Sequence, residues 1–260
     1  MTYQTFTLTQ EASVATITLS RPEKRNAIST QMIEELLTAL TEIESSAARA
    51  VIITGSGTAF CSGMDLDGLK NLAKQSPTQN LEDSRRMAKM FRRLWSYPKP
   101  LIAAVNGAAI AGGCGIATLC DFTLAVPEAK FGYTEVRIGF IPAIVSVFLV
   151  RQIGDKLARD LLLTGRILTA QEAKQLGLVT LVVEPAQLMD AARMLAASLI
   201  ESSPSSIERT KRLMTESAAA EVDAALAHAI AENASIRGTA DFREGLSAFL
   251  EKRRPVWPGK

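Results

Sequence analysis

Three short apolar runs, Ala50 to Ile53, Leu101 to Val105 and Phe122 to Val126, each lead into a turn rich in Gly, Asn or Pro. Runs of that length bounded by turn formers read as buried strands. Strand, turn and helix thus recur as a loose repeat, but the units differ in length and share no consensus. That argues against a propeller or a leucine-rich array and for an α/β layered or spiral core. With 260 residues, 47% of them hydrophobic, the chain can bury such a core without disulfides or a metal.

Around this repeat the sequence predicts further elements. Tyr3 to Leu8 and Val14 to Leu19 alternate as a hairpin does. From Ser29, an N-cap, the residues Met32, Ile33, Leu36, Leu37, Leu40 and Ile43 fall at helical spacing, an amphipathic helix packed on a sheet. Thr169 with Glu172 forms a capping box ahead of a helix stopped by Gly177, and a strand follows over Leu178 to Val183. Helices are then expected from Pro185 to Glu201, from Ser205 (with Glu208 as a second capping box) through His228, and from Thr239 to Lys252. The organisation expected is a core over 1–194 and a helical region over 195–260 whose apolar stripe suits association with another subunit.

Several classes of function are excluded early. Lys and Arg total 29 against 27 Asp and Glu, so no global field recruits nucleic acid or an anionic membrane, and an anionic ligand must be held locally. Cys61, Cys114 and Cys120 lack metal or redox spacing and read as reduced thiols of a cytoplasmic protein. The only histidine, His228, lies in a helical Ala-Leu-Ala-His-Ala-Ile stretch. Ser-His-Asp and Cys-His hydrolases and multi-histidine metal sites are thereby removed, and no metal is expected. Met1 to Gln10 has neither a basic start nor an apolar signal core, so secretion is not expected. The most apolar run, Ile138 to Val150, is broken by Pro142 and is shorter than the roughly 20 residues a spanning helix needs.

Chemistry can reside in three segments. Phe60-Cys61-Ser62-Gly63-Met64-Asp65 carries a glycine that lets backbone N–H groups face a ligand, although Ser-Gly also suits an ordinary surface turn. Val105 to Ile116 is a strand, a turn and a run almost without side chains that opens a helix. Gly112 and Gly113 stand near its N-terminus, where free donors and the positive dipole end suit a developing oxyanion. Tight helix packing explains the same glycines equally well. They do not fall as G-x-G-x-x-G, and no P-loop lysine follows. In Phe131 to Pro142 one carboxylate, Glu135, stands among apolar and aromatic neighbours, which raises a carboxyl pKa toward the range of proton transfer. Pairing with Arg137 at the surface is the plainer alternative.

In this order and at these intervals, the three segments resemble the crotonase (enoyl-CoA hydratase/isomerase) family over nearly the whole chain. Arg21-Pro22-Glu23-Lys24-Arg25-Asn26-Ala27 matches the family's R-P-x-x-x-N-A turn, Phe60 to Asp65 its F-x-x-G-x-D loop, and Asn106 to Cys114 its glycine-rich stretch with Ala111 replacing the first glycine. The resemblance implies a spiral of β-β-α units with a C-terminal helical trimerisation region, assembled as a homotrimer or a dimer of trimers. It implies an acyl-CoA thioester as substrate, with no further cofactor because coenzyme A is part of that substrate. By position, Met64 and Gly112 inherit the two oxyanion N–H donors and Glu135 the role of general acid/base. Lys24, Arg25, Ala27, Ser62 and Asp65 inherit contacts to CoA, and Phe249 and Lys252 the closure of an acyl or CoA pocket.

One departure bears on the reaction: the family's first catalytic glutamate falls at Gly115. The tail and the full-length match favour reversible hydration of a 2-enoyl-CoA, which is the first expectation, with isomerisation as its close runner-up. The loss of one carboxylate favours moving a double bond from the 3 to the 2 position, which one carboxylate can do alone. More distant alternatives are an inactive acyl-CoA binder and an RNA-binding surface built on Arg85, Arg86, Lys89, Arg92 and Arg93.

Overall fold

The structure, a computed structural model, describes residues 2–72 and 74–259. Strands β1 (Phe6–Glu11) and β2 (Val14–Leu19) form the expected antiparallel hairpin, with Phe6 opposite Leu19. The first strand starts later than the alternation suggests because the Gln4 and Thr5 amides are taken by the Glu35 carboxylate, at 2.9 Å for Thr5. Glu35 belongs to α1 (Thr30–Ser45), whose N-cap Ser29 accepts a hydrogen bond from Met32 N as predicted. The apolar face of α1 is buried through Met32, Ile33, Leu36, Leu40 and Ile43, each side chain contributing about 1.5–3 kcal/mol by leaving water.

The spiral comes next. Strand β3 (Ala50–Gly55) turns into β4 (Ala59–Cys61), followed by α2 (Leu66–Leu72) and α3 (Pro77–Trp95). Strand β5 (Leu101–Val105) turns into β6 (Ala108–Ile110) and α4 (Gly112–Leu119). Strand β7 (Phe122–Ala125) turns into β8 (Lys130–Gly132) and, after a 3-10 turn over Glu135–Ile138, α5 (Ala143–Thr164). The first strand of each unit joins one sheet and the second joins another, so successive units stack parallel along both sheets. After β9 (Leu168–Thr169), α6 (Ala170–Gln175) and β10 (Leu181–Val182), the six-stranded sheet reads β1-β2-β3-β5-β7-β10 and the four-stranded sheet β4-β6-β8-β9. All of β5 and nearly all of β3 are buried, as the unbroken apolar runs require of strands covered on both faces.

Two expectations are corrected by local hydrogen bonding. The strand over Leu178 to Val183 shrinks to Leu181–Val182, because Leu178 and Val179 N–H both donate to Ala173 O and close the end of α6. The Thr169 and Glu172 capping box stands, but the cap at Ser205 moves to Ser203. Pro204, with its fixed φ and no N–H, occupies the first helical position after it.

The chain ends in α7 (Leu188–Glu201), α8 (Pro204–Glu216), α9 (Ala219–Ser235) and α10 (Ala240–Glu251). Helix α7 packs on β3, β5 and β7, α9 crosses α3 and α5, and α10 rests on the turn that starts with Glu135. Among the described residues no helix is long and apolar enough to cross a membrane.

Candidate functional site

The glycine run fixes the site by removing side chains. A Cβ on Gly113 would lie 2.1 Å from the Cys61 carbonyl oxygen, so only glycine lets the start of α4 press on the backbone of β4. Helix α4 therefore begins beside the loop after β4. Gly63 in that loop holds φ +90°, a region side chains resist, and a Cβ there would meet Ala111 Cβ at 3.0 Å. The residues immediately preceding Met64 and Gly112 are thus in contact. Ala111 itself holds φ 51° and ψ −124°, a conformation costly for any residue with a Cβ, and its N–H donates to Gly132 O at 2.7 Å.

Neither candidate amide is spent elsewhere. Ile28 N donates to Gly63 O (2.7 Å) and Asp65 N to Ile28 O (2.9 Å), leaving Met64 N–H between them without a backbone partner among the described residues. Gly112 is the first residue of α4, where the N–H groups have no intrahelical acceptor and carry the positive end of the dipole. Both residues line one cavity of about 620 Å³.

Glu135 lines the same cavity. It begins the 3-10 turn, which Gly139 closes in the left-handed region at φ 66°, and Phe140 N donates to Glu135 O at 3.0 Å. The side chain is buried, and its Oε2 has no hydrogen-bond partner. Loss of hydration lifts its pKa from the ordinary 4.5 to about 7. No ion pair to Arg137 forms among the described residues, so the surface-pair alternative falls away.

Lys24, Arg25, Ala27, Ser62, Asp65 and Phe249 also line the cavity; Lys252, the C-cap of α10 at φ 55°, does not. Asp65 is occupied: Arg21 Nη2 stands 2.7 Å from Oδ2, and Asp67 N donates to Oδ1 at 3.0 Å. Since Arg21 also donates to Ala27 O (2.9 Å), the pair ties the basic turn to the Met64 loop. Lys24 is exposed and pairs with Asp67 at 3.0 Å.

Gly115 supplies the decisive packing. A Cβ there would meet Val145 Cγ1 at 2.7 Å and Phe91 Cε1 at 2.9 Å. Those apolar groups fill the volume that a side chain at position 115 would occupy. Sequence reasoning passed over both residues, and also Asn233 of α9 and Arg237 of the 3-10 turn (Ile236–Gly238) that follows it, which line the cavity as well. The polar pair was detectable in principle, because it continues the buried Val222, Leu226 and Ala229 stripe of that helix at helical spacing.

Of the five basic residues of α3, Arg85 and Lys89 are exposed, and the other three are directed at this chain's own groups. Arg92 pairs with Asp223 at 2.6 Å and stacks on Trp95, Arg93 pairs with Glu44 and stacks on Tyr97, and Arg86 approaches Asp83. His228 is exposed on α9 and does not line the cavity.

Comparison with known proteins fits this architecture. A family model described as enoyl-CoA hydratase/isomerase matches residues 9–260. The chain belongs to the enoyl-CoA hydratase/isomerase family. It is 42% identical, over 95% of its own length and 98% of the relative's, to a Thermus thermophilus protein carrying a provisional enoyl-CoA hydratase name. It is 35% identical to the short-chain-enoyl-CoA hydratase of Clostridium acetobutylicum, with 95% of each chain covered. An enoyl-CoA hydratase/isomerase from Xanthobacter autotrophicus superimposes with a TM-score of 0.89 at 31% identity, covering 97% of this chain and 98% of that one. As an enzyme of the enoyl-CoA hydratase/isomerase family, the chain has the crotonase spiral as its fold.

Proposed function

We propose that this enzyme shifts the double bond of a 3-enoyl-CoA into conjugation with the thioester, with Glu135 as its single proton carrier. The observation that carries the reading is the packing at Gly115. Phe91 and Val145 fill the place of a second carboxylate, and of the acidic side chains on the cavity wall Glu23 is exposed and Asp65 is paired with Arg21. Glu135 remains as the buried carboxyl with a free oxygen.

The chemistry then balances with one group. The Glu135 carboxylate takes a proton from C2, and the electron pair left behind moves through the carbonyl to give a dienolate with its negative charge on the thioester oxygen. Met64 and Gly112 N–H donate to that oxygen, and the start of α4 adds its dipole. One such donor is worth about 3 kcal/mol or more in the transition state, which makes the backbone hole the larger contribution. Protonated Glu135 returns the proton at C4, and the double bond now lies between C2 and C3. A carboxyl with a pKa of about 7 suits both halves, since it gives and accepts a proton near neutrality with little bias. Lys24 and Arg25 at the mouth provide cations for the CoA phosphates.

Hydration is the second reading, favoured by relatives such as the crotonyl-CoA hydratase of Syntrophomonas wolfei, 34% identical to this chain. It requires a water to be held and deprotonated for attack on C3 while C2 receives a proton, and here one carboxyl must serve both events. Incubation with crotonyl-CoA and with a 3-enoyl-CoA separates the readings. Isomerisation predicts that the 3-enoyl thioester gains conjugated absorbance while crotonyl-CoA keeps its own. Loss of the crotonyl absorbance with an inert 3-enoyl thioester refutes the proposal in favour of hydration.

A further inference from the structure

An apolar acyl cavity has no need of a polar wall, yet one is built into this cavity from α3, α9 and the 3-10 turn that follows α9. Asn233, only 6% exposed, and Arg237, 2% exposed, both line it. Arg237 Nη2 donates to Asn233 Oδ1 at 2.7 Å, and Ser84 Oγ donates to the same oxygen at 2.8 Å. Because a guanidinium can only donate, the atom facing it must be the amide oxygen, which fixes the orientation of the Asn233 amide. The Nδ2 group is therefore turned away from Arg237 and Ser84, and it donates to no partner among the described residues. Asn233 lines the cavity, so a ligand that displaces water from Nδ2 without offering an acceptor leaves that donor unpaired, at a cost.

The charge of Arg237 is matched locally. Its Nη1 stands 2.9 Å from Asp83 Oδ2, and its Nε donates to Asn233 O at 3.0 Å. Its guanidinium carbon also lies over the Phe140 ring, 5.6 Å from its centre. Arg86 approaches the other Asp83 oxygen only at 3.8 Å and is 39% exposed, so water screens it. What the wall offers inward is a neutral N–H donor next to a compensated ion pair. An ionised group on the acyl chain would enter this cavity without its own counterion, whereas a neutral oxygen would satisfy the amide.

We propose that the acyl group carried by the preferred substrate bears a neutral hydrogen-bond acceptor, a ketone, ether, epoxide or hydroxyl oxygen, that Asn233 Nδ2 binds. The inference rests on reading the cavity as the acyl-CoA site, and it names the class of acyl group that this site selects.

Binding of unreactive thioesters tests it without requiring any turnover. Calorimetry would compare a saturated straight-chain acyl-CoA with a series of equal length in which an ether oxygen replaces successive methylenes, and with an acyl-CoA ending in a carboxylate. At least one ether should bind about tenfold more tightly than the hydrocarbon, and more tightly than the carboxylate. In Asn233→Asp, which keeps the acceptor oxygen for Arg237 and Ser84 but replaces the donor, that preference should vanish or reverse. In Asn233→Leu it should vanish as well. Should Asn233→Leu fail to fold, Asn233→Asp decides alone. Equal or weaker binding of every ether by the native enzyme, a preference that survives in Asn233→Asp, or tighter binding of the carboxylate each overturns the inference. If no acyl-CoA binds at all, the acyl-CoA reading of the cavity fails first, so the two failures are distinguishable.

Discussion

Replacing Glu135 by Gln should make the protein more stable and less active, and the gain in stability should depend on pH in a defined direction. The carboxyl is buried with one oxygen unpartnered, and desolvation moves its pKa from 4.5 to about 7. Below pH 4.5 the group is neutral in both the folded and the unfolded chain, and glutamine is a fair stand-in for it. Between 4.5 and about 7 the unfolded chain releases the proton while the folded one retains it, so the native enzyme loses stability as the pH rises. At about 1.4 kcal/mol for each pH unit, the full interval amounts to about 3 kcal/mol, complete above pH 7. Glutamine has no such loss. Denaturant unfolding of both proteins at pH 4.5 and pH 8 measures the effect, and the advantage of Glu135→Gln should grow by about 3 kcal/mol between those conditions. Turnover by the native enzyme should rise through pH 7 as the base ionises, and Glu135→Gln should lose roughly 100-fold or more in kcat. A stability difference that is independent of pH would refute the claim that the carboxyl is held neutral by burial, whatever the activity does.

Three further outcomes can be checked. Gly115→Glu should not create a hydratase: the new side chain meets Val145 and Phe91 within 3 Å, and overpacking of this kind costs about 1–3 kcal/mol, read as a lower denaturation midpoint with no gain in crotonyl-CoA hydration. Ala111→Gly should stabilise the fold by about 1 kcal/mol, since Ala111 holds φ 51° and ψ −124°, and a lower melting temperature would argue against strain at that residue. Sedimentation should report an assembly larger than the 28.0 kDa chain, in keeping with the exposed Met194, Leu213, Met214, Val256 and Trp257; a monomer would remove subunit association.

The spiral was legible because its strands are short apolar runs that each end in a turn, and because Ser29 and Thr169 announce their helices with caps that form as expected. Errors arose where backbone groups had competing partners: Glu35 taking the amides before β1, Ala173 O taking those of Leu178 and Val179. Such competition is tertiary and leaves no mark on local periodicity. The site residues divide the same way. Met64, Gly112 and Glu135 sit in segments whose composition is unusual for its place, so the chain displays them. Phe91, Val145, Asn233 and Arg237 come from helices distant in sequence, and only the crossing of α9 over α3 and α5 brings them to the cavity.

The liabilities of this fold are gathered at one place. Ala111 is backbone strain beside an unpaired amide, Glu135 is a buried acid with a free oxygen, and Asn233 carries an amide donor without a protein partner among the described residues. The first two work against folding, and all three are held by neighbours: the β4 and α4 contact at Gly113, the turn closed by Gly139, and the Ser84 and Arg237 clamp. A core that needed only stability would relax the first two through Ala111→Gly and Glu135→Gln, whereas Asn233→Leu would strand the Arg237 and Ser84 donors. Their joint presence around one cavity is what the proposed oxyanion hole, proton carrier and oxygen-bearing acyl group call for. The corresponding expectation is that the first two substitutions, which act on separate elements, add in stability. Strong non-additivity would mean that the strain at Ala111 and the burial of Glu135 are one feature.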